Sequence, residues 1–200
     1  MTSSRPIAAF IALCFAATLA ACASPLQKVS YPELRFNHLP AINLDVAKII
    51  IVEKYRAPLR APNVEHEIPL APATAMANWA RDRLRAVGTV SMGGTATFTI
   101  LNASVTAQAL AKKPGLKAAF TYDQAARYET KLSARLDIET AGGLGKGIAT
   151  AKASRQRTTP ENLTTNERDD VLYSFVEAAA KDFDRVMTQN IDNHLGLFRR

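Results

Sequence analysis

The stretch ARYETKLSARLDIE, residues 126–139, decides the fold. Tyr128, Thr130, Leu132, Ala134, Leu136 and Ile138 share one parity. Arg127, Glu129, Lys131, Ser133, Arg135, Asp137 and Glu139 share the other. A two-residue period of this strictness means a strand with one face packed and one face wet. A sheet built around it needs a covering layer on one side only, which points to an α+β fold.

Working outward, Thr140 to Lys146 carries Gly142, Gly143 and Gly145 and reads as a hairpin loop. Gly147 to Thr158 returns as a strand with Ala149, Ala151 and Ala153 on one face, small enough to let a helix come close. Thr164 and Glu167 have the spacing of a capping box. Leu172, Phe175, Val176, Ala179, Phe183, Val186, Met187 and Ile191 then recur at helical spacing, which predicts a helix from Thr165 to about Leu195.

Upstream, Thr95 to Leu110 reads as a long strand whose buried parity changes. Ala96, Phe98 and Ile100 share one phase, and Leu101, Ala103, Val105 and Ala107 the other, so a β-bulge is expected near Ile100 to Asn102. Lys112 to Asp123, with its Lys-Lys-Pro-Gly, is a turn. Ala73 to Val87 predicts a helix with Met76, Trp79, Ala80, Leu84 and Val87 on its buried stripe, Arg81, Asp82 and Arg85 on the surface, and Gly88 as its left-handed terminator. Trp79 belongs to the core by its place on that stripe. Val46 to Tyr55 holds Ile49-Ile50-Ile51-Val52, apolar on both faces, and reads as a central strand. Residues 56–72 contain Pro58, Pro62, Pro69 and Pro72 and form an irregular connection, with a short extended piece at Glu65 to Leu70. The element order is β-α-β-β-β-α: a mostly antiparallel sheet of about four strands with two helices on one face. Its first β-α-β unit is expected to be a parallel crossover.

The N-terminus carries the most specific motif. Arg5 precedes an apolar run, Ile7 to Ala17, of signal-peptide length. Leu19-Ala20-Ala21-Cys22 follows and is similar to the lipobox of bacterial lipoproteins. In such a box small residues lie extended in a signal peptidase, and the cysteine thiol takes a diacylglyceryl group before cleavage. The expectation is a signal over residues 1–21, cleavage between Ala21 and Cys22, and lipidation of Cys22. A tether over 22–45 would follow, becoming ordered near Phe36 to Leu44, and a single periplasmic domain over 46–200. More than one acyl chain gives stable membrane attachment. The residue after Cys22 is Ala23 rather than Asp, which by resemblance to Gram-negative lipoproteins directs the protein to the periplasmic face of the outer membrane in preference to the inner membrane.

Removing the signal takes away Arg5 and no acid, so the formal charge moves from +7 to +6. A basic balance favours anionic partners. In an exported protein these are phosphate headgroups or acidic protein faces, not nucleic acid. Cys14 leaves with the signal and Cys22 is modified, so neither a disulfide nor a cysteine nucleophile remains. The Gly142–Gly147 run lacks the Ser or Thr that a phosphate loop places after its lysine; Gly147 stands there. Glu65-His66-Glu67 is the one histidine flanked by carboxylates, but a metal site needs further ligands, and nothing in the spacing brings His38 or His194 to it. No Gly-x-Ser-x-Gly is present. These readings leave no catalytic, cofactor or metal residues to name, and the protein is expected not to be an enzyme. Lys112, Lys113 and Lys117, and Lys152, Arg155 and Arg157, form two weak basic groups read as solvated surface.

A lipobox, a proline-containing tether and a β-α-β-β-β-α domain with a Trp-bearing first helix resemble two groups of bacterial lipoproteins. One is the auxiliary lipoproteins of ABC-type transport systems, the other the YajG-like lipoproteins. The likeness lies in element order over roughly residues 45–195. It implies a non-enzymatic accessory that docks a protein partner in an envelope transport or assembly system. The competing reading is a lipoprotein that binds a lipid or other small apolar ligand in a groove between helices and sheet.

Overall fold

A computed structural model describes residues 29–88, 93–110, 124–160 and 162–200. Tyr31 to Arg200 forms one compact unit. The turn expected at Lys112 to Asp123 lies outside the described residues, as do the lipobox residues Leu19, Ala20, Ala21 and Cys22.

Two helices cover a mixed, mostly antiparallel sheet of four strands, so the fold is α+β. The chain runs through β1 (Ile42–Leu44), β2 (Lys48–Glu53), α1 (Pro72–Arg83), β3 (Leu84–Ala86), β4 (Thr95–Ala109), β5 (Gln124–Glu139), β6 (Lys146–Pro160) and α2 (Thr165–His194). The large sheet has the order β2-β4-β5-β6. β4 and β6 pair antiparallel with β5, and β2 pairs parallel with β4. The alternating stretch is thus the middle of the sheet, and Tyr128, Thr130, Leu132, Ala134, Leu136 and Ile138 are its buried face. The register of β4 on β5 shifts between Ile100 and Asn102, where Leu101 swings out and becomes 44% exposed. Phe98 and Ile100 before the bulge and Ala103 and Val105 after it are therefore all buried.

Ala149 and Ala151 of β6 are buried under α2, whose stripe of Leu172, Phe175, Val176, Ala179, Phe183, Met187 and Ile191 packs down on the sheet. The helix starts at a complete capping box. The Thr164 side chain accepts from the Glu167 backbone, and the Glu167 carboxylate accepts from the Thr164 backbone. Trp79 of α1 sits between Phe98 of β4 and Phe183 of α2, with both ring centroids 5.4 Å away. This aromatic group packs between the helices and the sheet.

Four expectations need correction. The isoleucine-rich strand is an edge strand, not a central one: among the described residues β2 pairs only with β4, and Ile50 is 40% exposed. The rest of β4's edge is taken by a loop, since Asn63 bridges Thr106 and the Val64 amide donates to the Val105 carbonyl. Secondly, the first helix ends at Arg83, and Leu84 to Ala86 turns extended to pair in parallel with β1 in a two-stranded sheet. Val87 is consequently 41% exposed, and Gly88 serves a close approach instead of a helix terminus. A Cβ there would lie 2.9 Å from the Val46 backbone. Thirdly, Asp82 is buried rather than on the surface, because a segment preceding the strands packs over it. Fourthly, Glu65 to Glu67 is a single 3-10 turn, not an extended piece.

The compact unit also begins earlier than residue 46. Leu34, Phe36, Ile42 and Leu44, all within the expected tether, are buried in the core. Apolar side chains spaced through that stretch gain more from burial than from a solvated linker conformation.

Candidate functional site

What the described residues define is the place where the chain enters its compact unit. Tyr31 stacks on Tyr173 of α2 with centroids 5.3 Å apart, and its hydroxyl donates to Asp170 at 2.8 Å. Lost solvent and the bond to Asp170 push the Tyr31 hydroxyl up to about 12. The Tyr173 hydroxyl donates to the Pro32 carbonyl at 3.0 Å. Arg35 forks onto Asp82 of α1, with Nε to Oδ2 at 2.9 Å and Nη2 to Oδ1 at 2.5 Å. Asp82 Oδ2 also accepts from the Phe36 amide at 2.8 Å. Hydrogen bonding from Arg35, above all, holds the Asp82 carboxyl below its ordinary value against the opposing effect of burial. Asn78 adds bonds to Glu33 and to the Leu34 carbonyl. Residues 31–36 are therefore a strap stitched across both helices.

Between strap and α2 lies a cleft of roughly 580 Å³. Its strap wall includes Leu34, Phe36, His38 and Leu39, and its helix wall Tyr173, Glu177, Lys181 and Asp184. The charged groups on the helix wall are already engaged. Glu177 pairs with Lys181 at 2.9 Å, while Asp184 accepts from Trp79 Nε1 at 2.7 Å and Arg83 Nε at 2.9 Å. Arg83 also reaches the Pro40 carbonyl and Thr188. The cleft is amphipathic, and the charged groups of its helix wall are bonded within the protein.

A second buried carboxylate, Glu65, closes the far side of the loop after β2. Its Oε1 accepts from the Tyr55 hydroxyl at 2.5 Å, Asn63 Nδ2 at 2.7 Å and the Val105 amide at 3.0 Å. Burial raises the Glu65 carboxyl, but these donors outweigh it and leave the group below its ordinary value. Burial, then the bond to Glu65, push the Tyr55 hydroxyl upward. In the sequence Glu65 stands out only as a neighbour of His66. The structure turns the two apart: Glu65 points inward, while His66 is exposed, 3.6 Å from Glu67.

The three histidines do not come together: His38 lines the strap cleft, His66 lies on the loop and His194 ends α2. Among the described residues no group of three or more His, Cys, Asp or Glu side chains is placed to hold a metal ion. The glycine-rich segment is the β5–β6 hairpin, with Gly142 and Gly143 both at φ 71 and Thr140 Oγ1 accepting from the Gly145 amide at 2.7 Å. Lys152, Arg155 and Arg157 do not form one patch. The register sets Lys152 opposite Ser133 on the open face, and Arg155 and Arg157 opposite the buried Thr130 and Tyr128. Arg155 is paired with Asp182 at 2.6 Å. Lys112, Lys113 and Lys117 lie outside the described residues. Among those residues no helix is long and apolar enough to cross a membrane.

No family model matches the chain, and no curated protein does. Two solved structures are similar in part. One is the rare lipoprotein B from Shewanella oneidensis, at 8% identity and a TM-score of 0.38, covering 73% of this chain and 95% of that one. The other is a DUF330 protein from Xanthomonas campestris, at 10% identity and a TM-score of 0.29, covering 80% of this chain and 94% of that one. At these values neither likeness bears on what this chain does.

Proposed function

We propose that this chain is a lipid-anchored protein of the bacterial cell envelope that holds its α+β body beside a membrane and docks a protein component of a transport or assembly system there, without catalysing a reaction. The observation that carries this reading is the N-terminal segment. An apolar run from Ile7 to Ala17 leads into Leu19-Ala20-Ala21-Cys22, and the compact unit begins soon after, at Tyr31. Charge, apolar length, small residues and cysteine follow one another in the order that lipid transfer and cleavage require. Ala23 after the cysteine favours the periplasmic face of the outer membrane.

The build of the body supports a holding role. The buried carboxylates Asp82 and Glu65 and the half-buried Asp184 each tie one segment to another: strap to α1, loop to β4, and α1 to α2. Anchoring confines such a body to a thin layer and so raises its effective concentration beside a membrane-bound partner. The partner fitting this reading is a component of an ABC-type transport or related assembly complex, as the element order suggests.

The test is metabolic labelling with a palmitate analogue, comparing wild type with Cys22→Ser. The wild type should incorporate label and float with outer-membrane fragments. The variant should accumulate as an unlabelled precursor whose compact unit still resists protease. A wild-type chain that takes up no label, or that begins at a residue other than 22, overturns the proposal. Cross-linking in intact envelopes then identifies the partner, and a chain recovered only as itself removes the docking role.

A further inference from the structure

We infer that the exposed segment Lys54–Pro62 lies against the anionic phospholipid surface to which the chain is tethered, Lys54, Arg56 and Arg60 meeting lipid phosphates and Leu59 entering the headgroup layer. The inference rests on the lipid attachment at Cys22 proposed above.

The segment's chemistry is one-sided. Lys54, Arg56 and Arg60 are all exposed, and no acidic residue occurs between positions 54 and 64. Ion pairs among the described residues engage the nearby Arg168, with Glu67, but none of these three cations. Leu59 is 64% exposed and stands at φ 55, a left-handed conformation that is uncommon for a residue with a Cβ. Pro58 and Pro62 restrict the backbone on either side of it. The base of the segment is fixed, since the Lys54 and Tyr55 amides donate to the Ile100 carbonyl and the Asn63 amide to the Arg60 carbonyl. An apolar side chain held outward among cations, with no acid beside it, matches a surface of phosphates over hydrocarbon.

Position makes the bilayer the occupant. A chain of contacts puts the segment at the end of the body where the tether enters. Tyr31 bonds Asp170 in the opening turns of α2, and Arg168 of those turns pairs with Glu67 at 3.5 Å. The Glu67 amide donates to the Val64 carbonyl, and Asn63 Nδ2 reaches the Tyr55 hydroxyl. Only the eight residues Ala23 to Ser30 separate Cys22 from Tyr31, a reach of about 32 Å at most when fully extended. Two leucines are more exposed still, Leu144 at 95% in the β5–β6 hairpin and Leu197 at 98% after the C-terminus of α2. That helix has 30 residues and spans roughly 45 Å at its ordinary rise. Leu59 is therefore brought to the membrane by its own tether, and Leu197 is its natural control.

The experiment uses the mature, lipid-modified protein in vesicles. Its one cysteine carries lipid, so Leu59→Cys or Leu197→Cys introduces a single thiol for an environment-sensitive fluorophore. Vesicles contain either phosphatidylethanolamine with phosphatidylglycerol or phosphatidylcholine alone, each with and without bromine-labelled acyl chains as quencher. The expected result is quenching at position 59 in the anionic vesicles, weakened by salt and by phosphatidylcholine, with position 197 unquenched throughout. Adding K54Q, R56Q and R60Q should shift the local contact equilibrium by on the order of a hundredfold, the combined effect of three basic residues at an anionic surface. Protein that floats with the vesicles but shows equal, unquenched probes at 59 and 197 overturns the inference and leaves the anchor standing. Protein that does not float overturns the anchor reading itself. Protection of position 59 in native envelopes but not in protein-free vesicles also overturns it and assigns the segment to an acidic protein face.

Discussion

Trp79 donates its indole N–H to Asp184 across 2.7 Å, joining the two helices at the rim of the core. The same carboxylate oxygen accepts from Arg83 Nε at 2.9 Å, and the Arg83 side chain is only 6% exposed. Asp184 is thus the counter-charge that lets a guanidinium sit inside a helix pair. Asp184→Ala strands that guanidinium and leaves the indole N–H without its acceptor. Loss of one partner of a fully buried pair costs about 3–5 kcal/mol, and a smaller loss is expected here because the Asp184 side chain is 18% exposed. Asp184→Asn keeps an acceptor for the indole and should lose less. Urea unfolding followed through Trp79, the single tryptophan of the chain, measures both. Equal midpoints for wild type and Asp184→Ala would remove the argument.

The strap gives a pH prediction of definite sign. An aspartate ordinarily titrates near 3.8, and Asp82 is held below that in the folded protein, mainly by hydrogen bonding from Arg35. A carboxyl lowered on folding contributes stability above its unfolded value, and the contribution disappears as pH falls through the folded value. Strap protection should therefore be complete above about pH 5 and weaken below pH 3.8. Hydrogen exchange of the Phe36 amide, which donates to Asp82, reports this directly. Asp82→Asn should abolish the pH dependence and speed exchange at residues 31–36 while the sheet amides stay protected. A strap that loosens equally in wild type and Asp82→Asn as the pH falls assigns the effect to another group.

The sheet was the most legible part of the molecule because period-two alternation depends only on which face is wet. Residues 126–139 show that pattern without exception, and their neighbours β4 and β6 inherit its register. The bulge at Leu101 was legible for the same reason: a phase change in burial needs an extra residue. The errors came where tertiary pairing decides. Helical spacing continues through Leu84 and Val87, yet Leu84 to Ala86 finds a strand partner in Ile42 to Leu44, which no local pattern shows. Ile49 to Val52 looked central because an apolar run does not say whether its outer edge is paired. Asp82 reads as a surface carboxylate and the inward bonding of Glu65 goes unseen because two of their donors, Arg35 and the Val105 amide, stand 47 and 40 residues away. The lipobox is local and was readable at once; the basic segment after β2 acquires meaning only when Arg168 and Glu67 bring it beside Tyr31.

Gly147 tests how tightly the C-terminus closes the hairpin end of the sheet. A Cβ at this position would meet Leu195 Cδ2 at 2.5 Å and the Phe198 ring at 2.6 Å. Both contacts are side-chain ends, so the penalty depends on whether they can retreat. Leu195 is fully buried and caps α2, its amide donating to the Ile191 carbonyl. Phe198 is held by its backbone: its amide donates to Leu195, and its carbonyl accepts from the Asp45 amide at 2.8 Å. Neither residue can move without loosening the seam between β1 and the C-terminal turn. Gly147→Ala should destabilise by about 1–3 kcal/mol, the ordinary cost of overpacking. Hydrogen exchange should then quicken at the Asp45 amide before it does in β5. Phe198→Ala removes one of the two obstacles, so adding it should make Gly147→Ala cheaper than it is in the wild-type background. That non-additivity is the decisive measurement. Strictly additive losses in the double variant would mean that Gly147 is required for some reason other than room for Phe198.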